Sequence, residues 1–161
     1  MIYNIGVMQG IQMNEMVIKN YNNSYEKQVI DLWFECGLIV PWNNPKRDIE
    51  RKMDDDPSLF FICEIGGRIT GSCMAGYDGH RGWIYYLAVK PEFQKQGIAS
   101  KLIREAESRL LKIGCPKINL MVRKSNEDVI SFYRRIGYKD DPVVVLSKKL
   151  YKDEPYKRET S

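Results

Sequence analysis

The sequence predicts one domain of mixed α/β (α+β) structure, and three observations support this. Its 161 residues are close to the length of a single typical domain. Some segments repeat their apolar residues with the period of a helix, and others with the period of a strand. The two kinds of segment are interspersed along most of the chain, which is typical of a sheet flanked by helices.

Composition excludes several classes of protein. Hydrophobic residues make up 43% of the chain and charged residues 29%, with a net charge of +4, so a core can form and the chain is not of the disordered class. The mild positive charge lacks the concentrated basic patch of a nucleic-acid binder. No apolar run reaches the roughly 18 residues of a membrane helix, so we expect no membrane association.

Cysteine and histidine usage indicates the compartment and argues against a metal. Four scattered cysteines and one histidine do not make a zinc pattern, so we expect no metal site. Each cysteine lies in or beside an apolar segment, as expected for buried thiols in a reducing cytoplasm. No basic residue precedes the first apolar stretch, so we also expect no secretory leader.

The start of the chain predicts an extension, a strand and a helix. Residues 1–12 show no clear period, and we expect a loose extension there, followed by a single domain over residues 13–161. A strand is predicted over Met16–Tyr21. Asn23, with a glutamate three residues later, resembles a capping box and predicts a helix that ends at Gly37.

A second helix is predicted after a short connector. Asn44 followed by Pro45 is typical of an N-cap and a first-turn proline, and the helix should continue through Met53. The charged run Lys46–Asp56 is expected to form its solvated face.

The period then changes to that of strands. Leu59–Ile65 and Arg68–Tyr77, separated by two glycines, predict a β-hairpin. Asp78–Gly82 is expected to be a loop. Trp83–Val89 is almost entirely apolar and is typical of a central strand covered on both faces.

The remaining elements alternate between helix and strand. A helix should begin after Gly97, because apolar residues follow it at intervals of about one turn. The elements expected beyond it are a strand over Lys117–Arg123, a helix over Glu127–Ile136 closed by Gly137, and a last strand over Val143–Leu150.

The junction between the apolar strand and the helix at Gly97 is the segment most informative about function. The first N–H groups of a helix have no intrahelical acceptor, and the helix dipole places partial positive charge there. Such a junction can hold a phosphate on backbone donors, with Lys95 and Lys101 adding charge. It matches neither the Walker nor the Rossmann glycine pattern, and an ordinary strand-to-helix turn is the alternative.

Two motifs in this part of the chain resemble those of the GCN5-related N-acetyltransferases, the GNAT superfamily. One is Gln94-x-x-Gly97-x-Ala99, preceded by Leu87-Ala88-Val89-x-Pro91-x-Phe93, which is similar to the acyl-CoA loop. The other is Asn126-x-x-x-Ile130-x-Phe132-Tyr133-x-x-x-Gly137-Tyr138, which is similar to a second motif of the family if the spacing after the Asn is allowed to differ by one residue. The resemblance covers about residues 16–150. Cys36–Asp48 and Gly76–Gly82 also resemble a bacterial subgroup typified by YpeA.

The resemblance implies a central, mostly antiparallel mixed sheet that splits between two parallel strands, with acetyl-CoA in the split as co-substrate. The pyrophosphate would lie on the loop, the pantetheine arm would pair with the strand before it, and Asn126 would contact the CoA arm. The cofactor-binding residues that it implies are Leu87, Ala88, Val89, Gln94, Lys95, Gln96, Gly97, Ile98, Ala99, Ser100, Asn126 and Tyr133.

The resemblance implies that Tyr133 donates a proton to the leaving thiolate of CoA. A phenol stays protonated at pH 7 and suits that role. The alternative is a core tyrosine, because Tyr133 shares an apolar helix face with Val129, Phe132 and Ile136.

The general base has no clear position in the sequence. Many family members supply a glutamate from the central strand, whereas Trp83–Val89 contains no carboxylate. Asp78 and His80 are therefore the catalytic candidates, with a solvated loop histidine as the alternative for His80. Glu64 and Trp42 are the candidates for substrate binding; Trp42 has a core-capping role as its alternative.

Two hypotheses of different class follow from these residues. The first is an N-acetyltransferase that transfers acetyl from acetyl-CoA to a primary amine, in a small molecule or a peptide, within a ternary complex. The second is a non-catalytic acyl-CoA-binding module, which the missing strand carboxylate favours. A homodimer is left open, because family members often dimerise.

Overall fold

The computed structural model describes residues 16–158, so the extension predicted over residues 1–12 lies outside the described residues. Five strands and four α-helices are interspersed within this range. They are β1 (Met16–Asn20), α1 (Glu26–Glu35), α2 (Pro45–Asp55), β2 (Phe60–Ile65), β3 (Arg68–Tyr77), β4 (Gly82–Val89), α3 (Ile98–Lys112), β5 (Ile118–Asn119) and α4 (Glu127–Arg135). None of these helices is long and apolar enough to cross a membrane.

The strands form one sheet in the order β1-β2-β3-β4-β5. The first four strands are antiparallel, and β5 is parallel to β4. The β2–β3 hairpin turns at Gly66 and Gly67, whose φ angles are +55° and +76°, so the two-glycine turn is confirmed. The predicted mixed, mostly antiparallel sheet is therefore present.

β4 and β5 separate soon after they pair. Their register consists of Gly82 opposite Ile118 and Trp83 opposite Asn119. β4 then continues to Val89, with no strand partner on that edge among the described residues. This divergence is the split that the sequence resemblance predicts.

An irregularity in β4 lies beside this split. The register with β3 shifts by one residue between the pairs Ser72–Ala88 and Met74–Tyr85, which places an extra residue in β4. Tyr86 takes up the irregularity with a φ of +48°, a conformation that non-glycine residues rarely adopt. Bulges of this kind bend a strand and re-aim its side chains.

Each face of the sheet carries its own core. The apolar side of α3 packs on one face, where Ile98, Leu102 and Leu110 are buried as the helical spacing predicts. Helices α1 and α2 cover the other face, where Trp33 and Ile49 are buried. The split in the sheet is therefore bordered by a different helical layer on each face.

Local signals at the helix starts are mostly confirmed. The Asn44 side chain accepts from the backbone N–H of Arg47 at 3.2 Å, and Pro45 is the first residue of α2. The cap near the first helix is Asn22 and not Asn23, because a short 3₁₀ turn precedes α1 and the Asn22 side chain accepts from Ser24.

Two predicted strands differ from the structure. Lys117–Arg123 contributes only Ile118–Asn119 to the sheet, because the chain leaves β4 after that point. Val143–Leu150 forms no strand, and its side chains are exposed. Strand propensity describes fit to a pleated surface, whereas a strand also needs a partner, and this segment has none among residues 16–158.

The central strand is also less covered than its apolar run predicts. Ile84 and Ala88 are buried, but Tyr85 is 44% exposed. The difference follows from the split, because one edge of β4 lacks the neighbouring strand that would help to cover it.

Candidate active site

The loop from β4 to α3 runs through a short 3₁₀ turn into a left-handed bend. Lys95 has a φ of +60° and Gly97 a φ of +85°. A Cβ atom built at Gly97 meets no atom of the part of the chain that the structure describes within 4 Å, so space is open above the loop. The first hydrogen bond of α3 runs from the N–H of Lys101 to the carbonyl of Gly97 at 3.1 Å.

The amides at the start of α3 are available to a ligand. Among residues 16–158, no side chain caps the helix at Gly97. The N–H groups of Ile98, Ala99 and Ser100 belong to the first turn of a helix and so have no intrahelical acceptor. The end of this 15-residue helix therefore offers several donors and the positive end of its dipole at one point.

The free edge of β4 leads from the split to this loop. The N–H of Lys90 donates to the carbonyl of Thr70 in β3 at 2.9 Å. Successive residues of a strand direct their backbone groups to opposite edges, so those of Val89 and Leu87 are directed toward the split. The Gln94 side chain donates to the Val89 carbonyl at 3.1 Å and ties the loop to this edge.

Tyr133 lies in α4, and its side chain is 7% exposed in the core beneath α3. Its ring makes edge contacts with Phe132 and Tyr138, with centroids 5.2 and 5.4 Å apart. Burial, with a smaller effect of Cys73, raises the pKa of Tyr133 above its ordinary value. The phenol therefore stays protonated near neutral pH, as a proton donor must.

Asp78 organises the loop between β3 and β4. Its carboxylate accepts from the backbone N–H groups of Arg81 and His80, at 2.6 and 2.8 Å, and from the indole of Trp83 at 3.1 Å. These hydrogen bonds, led by that of Arg81, lower the pKa of Asp78 to about 2. A carboxylate held this acidic is a weak proton acceptor, which favours a structural role for Asp78 over the predicted catalytic one.

The other predicted residues are dispersed. His80 is exposed in the same loop, and Asn126 is exposed at the start of α4. Trp42 is 54% exposed on the connector between α1 and α2, so it does not cap the core. Glu64 lies on β2, separated from β4 by β3, and is ion-paired with Lys19 at 2.6 Å.

A cavity of about 170 Å³ adjoins the start of α3, between α3 and α4. Its lining includes Ser100 near the start of α3, the carboxylate of Glu107, and two exposed arginines, Arg104 and Arg135. These cations lie next to the helix end that carries the free amides. In the part of the chain that the structure describes, no group of three or more His, Cys, Asp or Glu side chains is arranged to hold a metal.

Comparison with known proteins identifies the family. The model of the acetyltransferase (GNAT) family matches residues 21–138 of the chain. The chain belongs to the GNAT family. An acetyltransferase of Sodalis glossinidius is 48% identical to this GNAT protein over 142 residues, which are 88% of this chain and 100% of that relative. An acetyltransferase of Yersinia enterocolitica is 46% identical over 141 residues, again 88% of this chain and 100% of the relative.

Solved structures of acetyltransferases share the fold of this GNAT protein. An aminoglycoside N-acetyltransferase in complex with CoA aligns with a TM-score of 0.72 and 18% identity, over 90% of this chain and 99% of that one. The ribosomal-protein-S18-alanine N-acetyltransferase of Escherichia coli aligns with a TM-score of 0.68 and 18% identity, over 78% and 79%. The chain is thus an acetyltransferase of the GNAT fold, while its place in the YpeA subgroup stays a prediction.

Sequence reasoning did not predict a contact between Tyr86 of β4 and Asp48 of α2. Their side chains meet at 2.6 Å, although 38 residues separate them in the chain. The helical period of α2 partly indicates that Asp48 faces inward. Asp48 follows the buried Pro45 by three residues and adjoins the buried Ile49, so it lies on the inward side of the helix. Nothing local in the apolar run of β4 indicates the bulge that directs Tyr86 toward this helix.

Proposed function

We propose that this GNAT protein transfers an acetyl group from acetyl-CoA to a primary amine, by direct attack within a ternary complex. The observation that carries the proposal is the split between β4 and β5, with free helix-end amides at one end and Tyr133 on one side. This combination supplies a groove for an extended cofactor arm, a site for its pyrophosphate and a proton donor.

The pyrophosphate of CoA would lie on the amides of residues 94–99, closest to Gly97. A side chain at Gly97 would project into the open space that the phosphates need. The pantetheine arm would continue along the free edge of β4 beside Val89 and Leu87, as an added strand does. Asn126, at the start of α4, would contact this arm from the side of β5.

Arg104 and Arg135 are suited to the further phosphate on the adenosine of CoA. Both are exposed beside the cavity that Ser100 lines, next to the proposed pyrophosphate site. Arginine pairs with phosphate through parallel N–H donors, so two such groups favour a ligand with an additional phosphate. Dephospho-CoA, which lacks it, should therefore bind more weakly than CoA.

The chemistry requires the amine nitrogen to attack the thioester carbonyl carbon. The C–N bond forms, the C–S bond breaks, and the thiolate takes a proton from the Tyr133 hydroxyl. Of the three protons on the ammonium nitrogen, one remains in the amide. A second proton restores the Tyr133 hydroxyl, whose own proton has gone to the sulfur. The third proton is released to solvent.

The acceptor would approach from the α1–α2 side, where Trp42 is exposed on the connector. The structural neighbours include enzymes named for aminoglycosides and for an alanine of ribosomal protein S18. A panel for this protein therefore comprises neamine, a peptide with a free N-terminal alanine, a peptide with an internal lysine, and methylamine as a minimal primary amine.

The family match and the relatives named acetyltransferases favour catalysis over the rival hypothesis, a non-catalytic acyl-CoA-binding module. Turnover distinguishes the two directly. Both hypotheses predict binding of acetyl-CoA, and only the enzyme releases CoA when an amine is added.

Thermal-shift titration with acetyl-CoA is the first test. At 100 times its dissociation constant, a ligand stabilises a protein by about 2.7 kcal/mol, which is roughly 5–10 °C for a domain of this size. Gly97→Glu should abolish the shift. Gly114→Glu is the matched control, because Gly114 lies at the other end of α3 with nearly the same φ, +84°, and equally open space.

The outcomes separate the parts of the proposal. A shift that Gly97→Glu removes and Gly114→Glu retains supports the donor site, and amine-dependent release of CoA then supports the reaction. No shift in the wild-type protein would overturn the donor site. A shift without turnover of any amine in the panel would favour the non-catalytic module.

A further inference from the structure

A tyrosine and a carboxylate meet on the α1–α2 face of the sheet, beside the split. The Tyr86 hydroxyl donates to Asp48 Oδ2 at 2.6 Å, a short hydrogen bond to a charged acceptor. Tyr86 belongs to the β4 bulge, and Asp48 to α2. The bond therefore places a carboxylate next to the central strand, although β4 contains none of its own.

The surroundings hold the Tyr86 ring in one orientation. The indole of Trp33 stacks on it with centroids 3.9 Å apart. Ser72 Oγ donates to the Tyr86 carbonyl at 3.0 Å and so fixes the backbone of the bulge. Burial, with the hydrogen bond to Asp48 as a second cause, raises the pKa of Tyr86. The phenol therefore stays protonated and is suited to relay protons.

Charged side chains of α2 and of the C-terminal segment surround the pair. Arg51 donates to Asp48 Oδ1 at 3.0 Å, but the same guanidinium also binds Asp153 of the C-terminal segment. The Tyr151 hydroxyl accepts from Arg51 at 2.9 Å, and Asn43 lies beside the Tyr86 hydroxyl. Arg47 and Lys149 also act on Asp153, so cations and carboxylates of α2 and the C-terminal segment lie close together beside the pair.

The position of the pair matches the proposed path of the cofactor. A chain extended along β4 from the α3 loop passes one residue about every 3.3 Å, first Val89, then Leu87, then the bulge at Tyr86. The thioester end of the arm would therefore lie beside the bulge. Tyr133 lies in the core on the opposite face, so the two tyrosines flank the split from its two sides.

We infer that Tyr86 takes a proton from the attacking amine while passing its own hydroxyl proton to Asp48. This inference rests on the proposed function. The N–H bond of the ammonium breaks, a new O–H bond forms at Tyr86 Oη, and the former Tyr86 proton ends on Asp48 Oδ2. The neutral amine then attacks the thioester, and Asp48 returns the proton to solvent. After donating to Asp48, the Tyr86 oxygen retains lone pairs that can accept from the amine.

The test compares Asp48→Asn and Tyr86→Phe with wild type, using the amine of the panel that reacts fastest at saturating acetyl-CoA. Loss of a general base costs about 10²–10⁴-fold in rate, so each variant should lower kcat at pH 7 by at least about 100-fold. When two residues act as one unit, the effects of replacing them on kcat do not add. The double variant should therefore be no slower than the slower single variant.

The pH profile separates proton transfer from a structural effect. Above the pKa of the amine, the substrate arrives neutral and needs no base. The kcat of Asp48→Asn should therefore approach that of wild type as the pH rises. Asp54→Asn is the matched control, since it is the same substitution on the exposed side of α2. It should retain the wild-type profile. An unchanged acetyl-CoA thermal shift in Asp48→Asn would show that the variant is folded.

Each outcome has a distinct meaning. Asp48→Asn activity within about threefold of wild type at pH 7, with an unchanged profile, would overturn the relay and leave the proposed function standing. So would a deficit that is constant at every pH. A wild-type protein that binds no acetyl-CoA, or that binds it and acetylates none of the amines, would overturn the proposed function and the relay together.

Discussion

The indole nitrogen of Trp33 donates a buried hydrogen bond of 2.8 Å to Ser72 Oγ, which joins α1 to the central sheet. Ser72 Oγ in turn donates to the carbonyl of Tyr86, so a single hydroxyl satisfies a helix side chain and the backbone of the β4 bulge. The packing of α1 and the shape of the β4 bulge are thereby coupled through one small side chain.

Replacing Ser72 with alanine should destabilise the protein. The change leaves the buried Trp33 N–H without its acceptor, and an unsatisfied buried donor costs about 1–3 kcal/mol. Urea denaturation would measure this as a fall in the free energy of unfolding. Ser147→Ala, at an exposed position, is the control and should stay within about 0.5 kcal/mol of wild type. Equal stability of the two variants would contradict the coupling.

Gly71 is required where α3 crosses β3. A Cβ atom there would lie 2.9 Å from Ile98 Cγ2 and 3.1 Å from the Ala88 carbonyl oxygen. Gly71→Ala should therefore cost about 1–3 kcal/mol, as overpacking does, and should weaken acetyl-CoA binding by displacing the start of α3. Gly76→Ala in the same strand is the control, because the nearest atom to its Cβ is 4.0 Å away. Thermal denaturation with and without acetyl-CoA checks both effects.

Tyr133→Phe should lower kcat by about 100-fold or more, because it removes the proposed proton donor and keeps the ring. Its stability should remain near that of wild type, since the phenylalanine keeps the ring and its edge contacts with Phe132 and Tyr138. Tyr138→Phe is the comparison: it removes a neighbouring hydroxyl that donates to Glu107 at 3.0 Å. That variant should lose stability and keep its kcat. Steady-state release of CoA measures the rates, and unchanged turnover in Tyr133→Phe would exclude the acid role.

Asp78 should titrate well below an ordinary aspartate. Its pKa in the folded protein is about 2, against 3.8 for an ordinary aspartate, so the folded state binds its proton less readily than the unfolded state does. The stabilisation from this group is therefore fully present above pH 3.8 and is lost as the pH falls toward 2. An NMR titration of the Asp78 carboxyl carbon should show the ionised form down to about pH 3. A midpoint near 4 would contradict the hydrogen-bonded loop.

The same titration bears on catalysis. A carboxylate whose pKa is held at about 2 by hydrogen bonds within its own loop is a weak proton acceptor. Asp78→Asn should therefore keep kcat at pH 7 near that of wild type, whereas Asp48→Asn should lower it, because the amine arrives protonated at that pH. This contrast distinguishes the loop carboxylate that the sequence favours from the helix carboxylate that the structure brings to β4.

Local sequence determined most of the elements of this protein. Asn44 and Pro45 began α2 as predicted, the two glycines turned the β2–β3 hairpin, and Gly97 began α3, because caps, prolines and positive φ angles depend on a few neighbouring atoms. The motif around Gly97 and the motif from Asn126 to Tyr138 together predicted the family, since each describes residues that are contiguous in the chain.

Only the tertiary structure decided which side chains meet. The Val143–Leu150 segment has the composition of a strand, yet it found no partner among the described residues, and pairing is not a local property. The sequence predicted that Asp48 belongs to a solvated helix face, because it lies in a run of charged residues, most of which are exposed in the structure. Its contact with Tyr86 arises from the bulge in β4 and from the packing of α2 on the sheet, which join residues 38 positions apart. Distances across a fold depend on how whole elements pack, and no window of sequence contains that information.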